Sequence, residues 1–111
     1  MDGWRLMTDR LAMVADLWTA HRQAPFPRRL TSVDVMGVDM VVLDLHVAMC
    51  VNSWLNRDAN DDDQCRDMLA TCAPRLRRVI PELPHDEAAY YQRLLDMTTL
   101  VLEALGDPPS G

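Results

Sequence analysis

The chain has 111 residues, 17 acidic against 11 basic side chains and a formal charge of -6, with 49% hydrophobic and 25% charged residues, the balance of a globular domain able to bury a core without disulfides or structural metal. An acidic surface disfavours nucleic acid, whose phosphates need clustered cations, and only Arg28 with Arg29 and the run from Arg75 to Arg78 gather positive charge. All 11 basic residues are arginine and the four glycines are scattered, so Schiff-base lysine chemistry, Walker-type phosphate binding and phosphate-cradling loops are excluded.

The first element is a helix from Trp4 to about Gln23, in which Trp4, Met7, Leu11, Val14 and Trp18 recur at steps of three and four. "APFPRR" ends it. Thr31 as a cap, Asp34 at the third helical position and Leu30 stapling onto Val35 then predict a second helix from about Ser32 to Asn56. The alternation in "LDLHV" and its valines also suit a strand, but the length of the run without a turn signal favours the helix. "DANDDDQ" is a polar connection into the acidic first turn of a third helix, where carboxylates meet the positive end of the backbone dipole. Cys65, Met68, Leu69, Cys72, Leu76, Val79 and Ile80 keep helical spacing there, and Pro74 among them predicts a kink or a break. After "PELPHDE" a fourth helix from about Asp86 to Leu105 turns Tyr91, Leu94, Thr98, Val101 and Leu105 inward. Gly106 stops it, and residues 107–111 form a frayed tail. The whole reads as one all-α domain over residues 1–111, an antiparallel four-helix bundle with the second helix the most buried.

"LDLHVAMCV" followed by "WL", the arginine-rich third helix ending in "VIPEL", and the closing "YYQRLLDMTTLVLEAL" resemble small uncharacterised all-helical proteins of actinobacteria, over roughly the last two-thirds of the chain. The resemblance implies the helical fold and brings no activity, cofactor or site residue with it.

The opening "MDGWRLMTDRL" has none of the basic, apolar and small-residue regions of a secretory signal. Asp39, Asp44 and His46 interrupt the long apolar run before it could span a bilayer, and three cysteines without a CxxC pattern suit reduced thiols. The expectation is a cytoplasmic protein that meets neither membrane nor nucleic acid.

Projected on a helix, Asp39, His46, Cys50 and Ser53 share one stripe, while Asp44 lies nearly opposite His46, on the side of Gly37 and Ala48. A carboxylate in a small-residue seam is costly unless paired, so the expected partner is an arginine from another helix, Arg22 or Arg75, in an ion pair that sets helix register. His46 and Cys50, four apart, can offer two donors to one metal, with Asp39 two turns earlier and Cys65 and Cys72 on the third helix completing a zinc-type set. The plainer expectation is that the cysteines pack as small hydrophobes and His46 is hydrogen-bonded or solvent-facing, with no cofactor. Asp58, Asn60, Asp62 and Gln64 imitate the start of a calcium loop, but Asp63 stands where glycine is needed and Leu69 where a bidentate glutamate is. Cys50 with His46 also resembles a thiolate and its base, although two neighbours on one apolar helix more often pack than react.

Trp4, Trp18, Trp54, Tyr90 and Tyr91, with eight methionines, suit core filling first, and second an adaptable pocket for a small apolar ligand or partner helix. Where the second helix has more apolar surface than its neighbours cover, a symmetric homodimer buries the rest. The expected function is therefore protein contact, self-association foremost, without catalysis. The alternative is a metal or small-molecule binder built on His46 and Cys50, and an enzyme using Asp44 or His46 as acid or base stands third.

Overall fold

The computed structural model describes residues 3–56 and 62–106, with side chains from residue 9 onward. Trp4, Met7, Asp58, Asn60 and the tail 107–111 therefore lie outside the described side chains. Four helices make up the fold: α1 (Gly3–Gln23), α2 (Met40–Leu55), α3 (Asp62–Val79) and α4 (His85–Ala104). Short single-turn helices at Arg28–Thr31 and Ile80–Glu82 punctuate the connections.

The long-range contacts fix the directions. Arg10, early in α1, meets Glu103, late in α4, and His21 at the end of α1 meets Tyr90 near the start of α4. Arg66, early in α3, reaches the Leu105 carbonyl beyond the end of α4. Neighbours are thus antiparallel, and α2 and α4, which run the same way, touch across the bundle where Tyr91 of α4 donates to the Met40 carbonyl of α2. Val14, Leu43, Val47, Val51, Leu69, Cys72, Leu76, Tyr91, Leu94 and Met97 form one continuous core from all four helices. Burial of these side chains, rather than intrinsic propensity, holds the valine-rich α2 helical.

The predicted start of α2 is corrected. Residues 34–39 form a two-stranded antiparallel hairpin, β1 (Asp34–Val35) and β2 (Val38–Asp39), with Val35 opposite Val38. Met36 and Gly37 both have positive φ, 52° and 78°, the left-handed two-residue turn that suits the twist of a hairpin. The helix begins only at Met40, and its cap is Asp39, whose Oδ1 accepts from the Val41 and Val42 backbone N–H groups at 3.1 and 3.2 Å. Thr31 is no cap; its hydroxyl donates back to the Arg28 carbonyl. Pro74 does not break α3, which runs through it continuously. Pro74 and Ala70, whose carbonyl loses its helical donor to the proline, both lie on the exposed side, so the released oxygen need not be buried without a donor. Gly106 follows α4 at φ 71°, the left-handed helix stop.

Nor is α2 buried all round. Leu43, Val47, Cys50, Val51 and Trp54 face the core, but Val42, Leu45 and Met49 are 40%, 54% and 66% exposed. They fall at steps of three and four along one face.

Candidate functional site

Asp44 sits on the flank of α2 that meets both α1 and α4, with its side chain only 15% exposed. His21 from the last turn of α1 places Nε2 at 2.9 Å from one carboxylate oxygen, and Tyr90 from α4 donates its hydroxyl to the other at 2.7 Å. His21 and Tyr90 are both 7% exposed and their rings lie 4.7 Å apart, with Trp18 stacked beyond the imidazole and Phe26 edge-on to Tyr90. The partner of Asp44 is therefore a histidine and a tyrosine, not Arg22 or Arg75, whose side chains are exposed. A single carboxylate so satisfied ties three helices together and leaves no oxygen in want of a donor.

The chemistry open to this cluster is narrow. With Nε2 donating to Asp44, Nδ1 of His21 is buried and makes no hydrogen bond among the described residues. Burial, reinforced by the hydrogen bond and charge of Asp44, pushes the Tyr90 hydroxyl well above the ordinary tyrosine range; Arg93 offsets this in part. Tyr91, fully buried beside it, is raised in the same direction, by burial first and then by the charge of Asp44. Both Asp44 oxygens, the Tyr90 hydroxyl and Nε2 of His21 are thus engaged with one another, which leaves Nδ1 of His21 as the atom of this trio without a partner among the described residues.

A second tie joins the chain entry to α4. Arg29 forms two parallel bonds to Glu87, Nε to Oε2 at 3.0 Å and Nη2 to Oε1 at 2.6 Å, with Glu87 buried and Arg29 half exposed.

The predicted donor stripe of α2 divides between two cavities. Asp39 and His46 line a pocket of about 250 Å³ with Arg75 and Arg78 of α3 and with Gly37 and Val38 of the hairpin. Cys50 and Ser53 face Cys65 across a smaller groove of about 140 Å³ that also takes in Met49 and Met68. His46 and Cys50 thus open in different places, and Cys72 is fully buried in the core. Among the described residues no three histidine, cysteine, aspartate or glutamate side chains gather as a metal site requires. None of the three cysteines is in a disulfide; burial raises the Cys72 thiol pKa, partly offset by the charge of Arg75, so the thiol rather than the nucleophilic thiolate is favoured. A wider, mostly apolar groove of about 550 Å³ runs between α1 and α4 past Met13, Leu17 and Leu100, with Asp16 and Asp96 on its lining.

Sequence reading placed Asp44 at a helix seam but missed its partners. The signal for one was present: the α1 stripe that passes through Val14 and Trp18 reaches His21 at the next step of three, one residue before Arg22. Comparison with protein-family models, with curated proteins and with solved structures gives no match, so the functional reading rests on this geometry.

Proposed function

We propose that the protein works by binding a second copy of itself across the outer face of α2, as a structural or regulatory partner without catalysis. The observation that carries this reading is the exposed row of Val42, Leu45 and Met49. Single exposed hydrophobic residues are ordinary, but these three follow helical spacing and share a face with uncharged Asn52 and no ionised side chain. A two-fold contact sets each residue against the same surface of the partner, where like charges would repel, so an uncharged apolar row is what self-pairing needs. The mutual engagement of the Asp44 carboxylate, Nε2 of His21 and the Tyr90 hydroxyl supports a fold-organising rather than catalytic role for the polar cluster. Three buried, unbridged thiols are in keeping with a reducing compartment such as the cytoplasm. No helix among the described residues is long and apolar enough to cross a membrane.

Sedimentation velocity over a range of concentrations tests the reading. The wild type should shift from monomer to dimer, and Leu45→Glu should remain monomeric with an unchanged helical circular dichroism spectrum, because Leu45 is 54% exposed and contributes little to the core. A wild type that stays monomeric up to about millimolar concentration, where a contact would be worth no more than about 4 kcal/mol, rejects self-association.

A further inference from the structure

The pocket between the hairpin, α2 and α3 has a composition at odds with the rest of this acidic chain. Arg75 and Arg78, three apart on α3 and so on one face of it, both line the cavity, and His46 of α2 lines it too. Three arginines elsewhere find carboxylates, Arg10 with Glu103, Arg29 with Glu87 and Arg66 with Asp63, while Arg22, Arg28, Arg77 and Arg93 form no ion pair among the described residues but do not line this cavity. Arg75 and Arg78 form no ion pair among the described residues. The one carboxylate on the pocket lining, Asp39, has its Oδ1 committed to the first N–H groups of α2. Two guanidinium groups, an imidazole and a single carboxylate with one oxygen engaged at the helix start therefore line one cavity, in a chain whose formal charge is -6.

We propose that this pocket binds a small phosphate-type dianion. Guanidinium groups present paired N–H donors in the planar geometry that phosphate oxygens accept, and they hold their charge at any physiological pH. His46, which lines the cavity from α2, has a ring N–H that can serve as a further donor. The volume of about 250 Å³ lies below the roughly 300 to 1,000 Å³ usual for drug-sized ligands, which fits a phosphate group with little attached rather than a nucleotide. The site stands apart from the outer row of α2 except at Val42, which borders both, so it holds or fails independently of self-association.

The test titrates inorganic phosphate into the protein at constant ionic strength, with chloride making up the balance, and follows backbone amide shifts by NMR. Binding in the pocket gives saturable shifts centred on residues 37–39, 46, 75 and 78. Arg75→Gln and Arg78→Gln should each weaken the affinity by about tenfold or more, the loss expected for a hydrogen bond to a charged group. Arg77→Gln changes the net charge by the same amount on an exposed position outside the pocket and should leave the affinity within about twofold, as expected for long-range charge screened by salt. Tighter binding of glycerol phosphate than of inorganic phosphate assigns the site to an esterified phosphate; the reverse order assigns it to the free ion. Shifts that never saturate, an Arg77→Gln loss equal to that of Arg75→Gln, or full affinity in the Arg75→Gln/Arg78→Gln double variant would overturn the proposal.

Discussion

The Tyr90 hydroxyl donates to Asp44 at 2.7 Å across 46 positions of sequence, and the same carboxylate holds His21 at 2.9 Å on its other oxygen. Replacing Tyr90 by Phe keeps the ring and removes only the donor, leaving a largely buried carboxylate oxygen unsatisfied. The expected loss is about 1.5 to 3 kcal/mol, the range for a hydrogen bond to a charged group. Asp44→Ala strands both the Tyr90 hydroxyl and the His21 ring and should cost more, about 3 to 5 kcal/mol. Urea unfolding of the two single variants and the double variant should give strongly non-additive losses. An Asp44→Ala protein within about 0.5 kcal/mol of wild type, the scatter of an ordinary surface substitution, would show that the cluster contributes nothing to stability.

The chain has only two tyrosines, Tyr90 and Tyr91, and the fold raises the pKa of both, burial being the largest cause in each case. Cys72 is raised by the same cause. For an acid so shifted, the unfolded chain loses its proton first, so above the unfolded pKa the folded state binds more protons and stability falls as pH rises. That contribution is intact below about pH 8.5, begins to fall as unfolded Cys72 ionises and falls faster above about pH 10, where unfolded tyrosine does. In an alkaline titration the near-ultraviolet phenolate band should stay flat while the circular dichroism remains native, then rise together with unfolding. A smooth phenolate titration centred near the ordinary value of about 10 in protein that is still folded would contradict this burial.

Arg29 and Glu87 are unequal partners. Glu87 is buried in the first turn of α4, whereas half of the Arg29 side chain remains in water. Removing the arginine leaves a carboxylate without its donors in a dry place, while Glu87→Gln abolishes the charge and keeps a hydrogen-bonding amide. Arg29→Ala should therefore lower the melting temperature more than Glu87→Gln, and adding Glu87→Leu to Arg29→Ala should recover part of the loss. The opposite ranking, with Glu87→Gln the more damaging, would place the value of the pair in its charge attraction instead.

The strong periodicities made the helices legible. In α3 Cys65, Leu69, Cys72, Leu76 and Val79 of the predicted stripe are buried and Met68 and Ile80 are half-buried, and in α4 Tyr91, Leu94, Thr98 and Val101 face inward while Leu105, just past the helix, is half-buried. What failed were choices between residues one position apart. His21 and Arg22 differ by about 100° on α1, and a stripe stepping by three or four reaches either; the neighbour that pairs with Asp44 is decided by how α1 leans on α2, a tertiary fact. Tyr90 was hidden for the related reason that α4 packs on all three other helices and buries a wider arc than one stripe describes. The hairpin was masked by Thr31 and Asp34, which imitate a capping box, and by a turn whose first central residue is methionine rather than the asparagine or aspartate that usually marks it.

That methionine gives the remaining prediction, one of opposite sign. Met36 has φ 52° and is 56% exposed, so its side chain contributes little packing while its backbone sits in the left-handed region. Asparagine tolerates that conformation because its short amide can hydrogen-bond locally. Met36→Asn should therefore raise stability, by up to about 1 kcal/mol given the roughly 1 to 2 kcal/mol cost of a left-handed residue with a β-carbon, and it removes an exposed apolar side chain beside α2. Gly37→Ala should act the other way: a β-carbon there meets no atom within 4 Å, but φ is 78°, so the loss is backbone strain alone. Urea midpoints for the two variants separate turn geometry from side-chain contact. A destabilised Met36→Asn protein would mean that the exposed methionine makes a contact in solution that outweighs the strain, and sedimentation of that variant beside the wild type would show whether a second copy supplies it.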